Sequence, residues 1–304
     1  MKSAAMHRFA ILLACWTLLL IVAGGLVTSN DAGLSVPDWP LSYGKLMPTM
    51  EGGIFYEHGH RMIATVDGML MIVMAVWLWA KDERRWLKWL GWIALLSVIV
   101  QGVLGGLTVI YLLPPAVSVS HACLAQLYFS TTVAIAVFTS RDWLAGARET
   151  AEKQEAPIRL LAIVAPLCVL GQLALGAAAR HKALGTIWHI SGSSIVTGVV
   201  LWFAVRILLH YADHPALRQS ALAMLGITFV QVFLGIAAYM SRIATIDAPQ
   251  PMPIMILFTV LHVATGALTM AASVIACIQV YRNVHQPEQQ LARNRAALAS
   301  SENA

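Results

Sequence analysis

Apolar positions along this chain fall into eight long runs, at about 9–29, 57–80, 86–111, 116–139, 158–180, 184–209, 217–240 and 253–281. Each is near the roughly 20 residues that a helix needs to cross a bilayer. The pattern predicts an all-α integral membrane protein with eight transmembrane helices. Two of the polar breaks stand out. The first, 30–56, contains Gly33-Leu-Ser-Val-Pro-Asp-Trp-Pro-Leu-Ser-Tyr-Gly44 and reads as a lid loop. The second, 141–157, opens with Arg-Asp, closes with Lys-Gln-Glu-Ala-Pro and reads as a midpoint linker. The tail 286–304 is polar and expected to be disordered. The first run follows a short basic lead, Lys2 and Arg8. Its apolar stretch is too long for a signal peptide, and no small-x-small site follows it, so it is expected to be a helix.

Composition agrees with that reading. Mean hydropathy is +0.71 and 12% of residues are charged, against about 25% in soluble domains. The net charge of +5 does not point to nucleic acid, because the basic residues are scattered at helix ends and no basic run carries aromatics. Cys15, Cys123, Cys168 and Cys277 all lie inside apolar runs without metal-ligand spacing. They are expected to be packing residues rather than disulfides. With the N-terminus inside, 15 Lys and Arg fall on the inner side and 5 on the outer. This predicts a multi-pass protein of the bacterial plasma membrane with both termini cytoplasmic. No Arg- and Ser-rich transit segment precedes the first run.

The chain also resembles itself across the linker. Gln101-Gly-Val-Leu-Gly105 matches Gln231-Val-Phe-Leu-Gly235 at an offset of 130, and His60 and His189 lie 129 apart. Gln172-Leu-Ala-Leu-Gly176 is a third copy of the string. Four helices return the chain to its starting side, so the halves share an orientation. The expectation is two tandem pseudo-symmetric four-helix bundles, residues 1–140 and 158–285, joined by the cytoplasmic linker 141–157 and followed by the cytoplasmic tail 286–304. Close helix approach explains the glycines of these strings; lining a ligand would explain them as well.

Candidate chemistry lies in the histidines. His7, His210, His214 and His285 fall at or near the inner side and read as surface residues, and His181 lies in a short outer loop. His60, His121, His189 and His262 fall one each on the second, fourth, sixth and eighth runs. Those four runs point the same way. Their histidines lie within roughly 15 Å of the outer surface at about 1.5 Å per residue. Two parallel helices per half thus carry one imidazole each at similar depth, as a planar tetrapyrrole with two axial ligands requires. Zinc is the competing metal, and the sequence offers no third or fourth ligand per half.

Glu57-His58-Gly59-His60-Arg61 puts four ionisable side chains where the lid enters the second helix. Such residues at a bilayer entrance usually serve function. Glu57, His60 and Arg61 share one helical face; His58 points elsewhere, toward the loop. Glu57 and Arg61 could be an ordinary ion pair. In the functional reading His60 binds iron, Arg61 contacts a propionate and Glu57 stands beside the reacting carbon. Asp67 lies further down the same helix, as a bond to a neighbouring helix or a weaker proton-handling candidate. The second half has Thr186 and Ile190 where the first has Glu57 and Arg61, and it lacks the long loop. The first half is therefore expected to hold the reaction site and the second a fixed cofactor.

At these residues the chain resembles the haem A synthase family. The resemblance rests on Glu57-x-x-His60-Arg61, the Gly-Leu-Ser-x-Pro-Asp-Trp-Pro lid, the Gln-x-x-Leu-Gly-Gly run at 101–106, His121, His189 and His262. It covers nearly the whole chain and is strongest in the first half. It implies a membrane oxidoreductase of monooxygenase type that oxidises the C8 methyl of haem O to a formyl group for terminal oxidases. The steps implied are two successive hydroxylations and loss of water. It further implies that His60 and His121 ligate substrate haem, that His189 and His262 ligate a haem b cofactor, and that Glu57 is the catalytic acid. Implied partners are an electron donor that the sequence does not identify, haem O synthase and oxidase assembly factors. Two departures stand out. Many members carry a cysteine pair in the first outer loop, where this chain has Ser35 and Ser42 and no cysteine, which excludes a loop disulfide. Ile190 follows His189 where Arg is more typical, which leaves His181 open as a substitute ligand. A bis-His cytochrome b that only carries electrons would explain the histidines but not Glu57 or the lid. A transporter would be expected to break its helices near the midplane.

Overall fold

The computed structural model describes residues 2–153 and 158–285; the expected tail 286–304 lies outside the described residues. The long helices are α1 (Lys2–Ser29), α2 (Gly52–Lys81), α3 (Arg85–Ile110) and α4 (Pro115–Phe138), then α6 (Ile158–Arg180), α7 (Thr186–His210), α8 (Pro215–Ala244) and α9 (Pro253–Asn283). All eight are long and apolar enough to cross a membrane. The protein is an all-α integral membrane protein. Proline opens α4, α8 and α9, where its fixed φ suits a first turn whose N–H groups lack intrahelical partners.

The linker contains the short helix α5 (Arg141–Leu144) and the strand β1 (Thr150–Ala151), which pairs in parallel with β2 (Val284–His285) beyond α9. Its Lys153 amide donates to the Tyr211 hydroxyl, and the Arg159 guanidinium donates to the Val284 carbonyl. The linker thus ties together both ends of the second set of helices.

Helices α1 to α4 touch in sequence and close a ring through α1 and α4. Helices α6 to α9 do the same through α6 and α9. The rings meet where α4 and α9 touch each other, with α1 on α9 and α4 on α6. Ile21 of α1, Phe129 of α4, and Ala267 and Ala271 of α9 pack at this seam.

Each ring has its buried apolar core toward the linker end. In the first, Leu13, Met71, Met74, Leu78, Leu87 and Ile135 are fully buried. In the second, Ile158, Phe203, Ile207, Leu217 and Met224 are. The four histidines lie beyond these cores, toward the lid end.

Two helix starts differ from the sequence expectation: α1 begins at Lys2 rather than near 9, and the second difference bears on the site. Helix α2 begins at Gly52, not near 57, so the lid is residues 30–51 and Glu57 lies inside the helix. The helix can extend through this polar stretch because the lid covers it and supplies partners to its charged groups.

Candidate functional site

His60 is on α2, His121 on α4, His189 on α7 and His262 on α9, each within the first three turns. Each ring rests against a glycine of the preceding long helix. A β-carbon on Gly24 of α1 would stand 3.1 Å from Cε1 of His60, and one on Gly105 of α3 would stand 3.2 Å from Cε1 of His121. For Gly176 of α6 against His189, and Gly235 of α8 against His262, the distance is 2.9 Å. The sequence strings identify three of these glycines. The fourth, Gly24, follows Leu20 rather than a glutamine, so the string does not signal it.

The missing β-carbons let the imidazoles approach the carbonyl four residues before each glycine. His262 Nδ1 lies 3.2 Å from the Gln231 carbonyl oxygen, and His189 Nδ1 lies 3.2 Å from that of Gln172. A carbonyl can only accept, so at His262 the ring proton is on Nδ1 and Nε2 keeps its lone pair. At His189 the Gln172 amide nitrogen is also beside Nδ1, at 2.9 Å, and it donates to the His189 carbonyl at 2.7 Å. Gln101 donates likewise to the His121 carbonyl at 2.9 Å. In the first ring His60 and His121 face the carbonyls of Leu20 and Gln101, yet neither Nδ1 completes a hydrogen bond among the described residues.

The rings of His189 and His262 face each other, with centroids 6.1 Å apart and planes at 78°. Two metal–imidazole bonds of about 2 Å each, plus two ring radii, span roughly that distance. His60 lies within electrostatic reach of His121. Among the described residues no group of three or more His, Cys, Asp or Glu side chains gathers to hold a metal ion. Two neutral imidazoles do not complete a tetrahedral zinc site. They do suit an iron whose equatorial positions are filled by a macrocycle, with Nε2 as ligand and Nδ1–H held behind it. The second pair fits a bis-imidazole haem on these grounds.

Glu57 is 4% exposed, and both its oxygens are engaged. Oε1 accepts from Nη2 of Arg61 at 2.7 Å, and Oε2 accepts from the Val36 amide of the lid at 2.8 Å. Arg61 in turn donates from Nη1 to the carbonyls of Asp38 and Leu41, both at 2.8 Å. A propionate contact by Arg61 would have to be made beside this clamp. His58 shares a 2.8 Å hydrogen bond with the Ser42 hydroxyl, and the Trp39 indole lies against Gly106 of α3. Asp38 accepts the Tyr43 and Gly44 amides at 2.6 and 2.8 Å. The Gly44 bond, then that from Tyr43 and the charge of Arg61, hold its carboxyl below the usual carboxylate range against a smaller opposing effect of burial. The lid is thus a folded cap fastened to α2 and α3.

Asp67 lies deeper and is fully buried. It accepts from the Thr17 hydroxyl of α1 and the Tyr128 hydroxyl of α4, each at 2.7 Å, and so joins three helices. His181, in the loop after α6, has its pKa lowered by burial and by neighbouring Arg180. His7, expected at the surface, instead bonds the Ala136 carbonyl of α4 at 3.0 Å.

A family model of cytochrome oxidase assembly proteins, COX15-CtaA, matches residues 7–54 and 51–189, more than half of the chain. The chain belongs to the COX15-CtaA family. Curated relatives carry the name Heme A synthase. One from Exiguobacterium sp. is 28% identical over 123 residues, 40% of this chain and 41% of the relative. Another from Halalkalibacterium halodurans is 28% identical over 144 residues, 45% and 48% of the two chains. A third from Shouchella clausii is 28% identical over 156 residues, half of each. The chain spans about half the length of the curated relatives it matches or less. The family match includes Glu57, His60 and His121 and ends at His189. His262 stands outside it, and its place in the site rests on the ring that it presents to His189.

Proposed function

We propose that this chain is a haem A synthase, which oxidises the C8 methyl of haem O to a formyl group for terminal oxidase biogenesis. The observation that carries this reading is Glu57, a buried acid three residues before a glycine-seated histidine, under a lid that only the first ring has. Substrate haem would lie between His60 and His121, with Glu57 at its edge. Arg61 pairs with Glu57 at 2.7 Å, and a Glu57 oxygen would take the proton from one hydroxyl of the twice-hydroxylated carbon and pass it to the other, which leaves as water. The lid excludes bulk water from this carbon. A haem b between His189 and His262 would supply one-electron chemistry when bound. The division into a reaction bundle, residues 1–140, and a cofactor bundle, residues 158–285, follows from this assignment. The Lys and Arg balance supports placing the lid outside, with both termini in the cytoplasm. Electrons would come from a separate donor, and haem O synthase and oxidase assembly factors are the expected neighbours.

The test is expression in membranes supplied with haem O, followed by extraction and mass analysis of the haems. Haem A, or its hydroxylated precursor, is the expected product. Bound haem b with unaltered haem O would instead make the chain an electron carrier, the reading that the facing His189 and His262 rings alone would support.

A further inference from the structure

We propose that the turn between α2 and α3 binds an anionic phospholipid of the inner leaflet. Arg85 and Lys88 take its phosphate, and the indoles of Trp79, Trp89 and Trp92 take its glycerol backbone and first acyl carbons.

Tryptophans at a membrane interface usually ring a protein as a belt. Here five of the ten fall within residues 77–92, which makes a cluster instead. Trp79 stands edge-to-face with Trp89 at 5.8 Å between centroids and with Trp92 at 6.2 Å. All three are exposed, and none of their indole N–H groups has an acceptor among the described residues. Lys88 Nζ lies 5.8 Å from the Trp79 ring centroid, at the rim of the cluster. Arg85, one turn before Trp89, is exposed and makes no ion pair among the described residues. The turn also holds two acids. Asp82 is engaged by Arg84 at 2.7 and 2.9 Å and lies within reach of the Lys88 charge; Glu83 is exposed. Against them stand Lys81, Arg84, Arg85 and Lys88, a surplus of two positive charges. Trp89, Ile93, Leu96 and Val100 continue one exposed apolar face down α3, at the spacing of a helical stripe, where acyl chains can lie.

Charge and shape together select the occupant. A soluble anion gains nothing from exposed indoles, and a zwitterionic lipid gains nothing from the surplus charge. An anionic lipid uses both. The Lys and Arg balance puts this turn at the inner leaflet, where basic segments beside a helix meet anionic headgroups. The matching turn of the second ring, residues 206–221, has no tryptophan and sets Arg206 and Arg218 against Asp213, with His210 and His214 beside them. The site therefore belongs to the first ring.

The experiment places the full chain in phosphatidylcholine nanodiscs and adds phosphatidylglycerol brominated on its acyl chains, which quenches tryptophan emission on contact. Quenching should saturate at a lower mole fraction than with brominated phosphatidylcholine. Equal quenching by the two lipids would overturn the proposal. Arg85→Gln combined with Lys88→Gln should weaken the preference by about five-fold for each charge removed, whereas Arg218→Gln should leave it unchanged. Replacing Trp79, Trp89 and Trp92 together by Phe should abolish the preferential quenching; its survival would put the lipid elsewhere and overturn the site. If a variant fails to fold, the two lipids on wild type still decide. Excess soluble glycerol phosphate should leave the quenching in place, and its relief would overturn a lipid in favour of a phosphate alone.

Discussion

Glu57 Oε2 accepts the backbone amide of Val36 at 2.8 Å, so the acid at the proposed reaction site is also a fastener of the lid above it. Removing the side chain changes two things at once. Glu57→Ala would release the lid and leave Arg61 half-buried without its ion-pair partner. Glu57→Gln keeps an oxygen for the Val36 amide, and loses the charge and the bond from Arg61. The expectation is that Gln keeps the fold and the bound haem while formyl formation falls by at least about a hundred-fold, within the range for an acid–base group. Haem A formed per bound haem is the measurement, and near-normal turnover in Gln would remove Glu57 from the chemistry.

Arg61→Lys should loosen the lid without unfolding the helices. Lysine cannot reach Glu57, Asp38 and Leu41 together as the guanidinium does. Each lost charged hydrogen bond is worth about 1.5–3 kcal/mol. Limited proteolysis should cut within 30–51 faster than in wild type, with the thermal midpoint of the helical signal changed much less.

The acid response of the lid follows from Asp38. Its folded pKa lies below the unfolded carboxylate value, so its contribution is present above about pH 4 and is lost as pH falls through the lower folded value. Protease sensitivity of the loop should be flat from neutral pH to about 4 and rise below it. Asp38→Asn should show raised sensitivity at neutral pH. A loop equally protected in both proteins would show that the Tyr43 and Gly44 bonds do not hold it.

Asp67 should matter to stability through its two hydroxyl partners. Asp67→Asn keeps an oxygen for one of them and should be the milder change. Asp67→Ala strands the Tyr128 hydroxyl in the apolar core, at a cost of about 1–3 kcal/mol. Tyr128→Phe combined with Asp67→Ala should recover part of that loss, because no buried donor is then left over. Thermal melts of the four proteins in one detergent would show it. Additive losses would mean that the two groups act independently.

The eight spans are legible in the sequence because a bilayer imposes a local rule: about 20 apolar residues in a row make a helix, wherever its partners are. The internal repeat is legible because three glycine strings kept their glutamine. The fourth seat is not, since Leu20 replaced the glutamine in α1 and only the glycine remained. The start of α2 is misplaced from sequence because charged residues look like a loop until the lid that neutralises them is in view. Asp67 reads only as bundle-facing; its bonds to Thr17 and Tyr128 join residues 50 and 61 positions away.

The sequence by itself determined the membrane class, the number of spans and which residues could serve as ligands, since all three depend on composition and on spacing within one helix. Tertiary structure alone decided that each imidazole docks on a glycine, that His189 and His262 face each other at 6.1 Å, and that Glu57 is tied to the lid. Those relations join helices far apart in the chain, and the approach of one backbone to another's side chain depends on the packing of both.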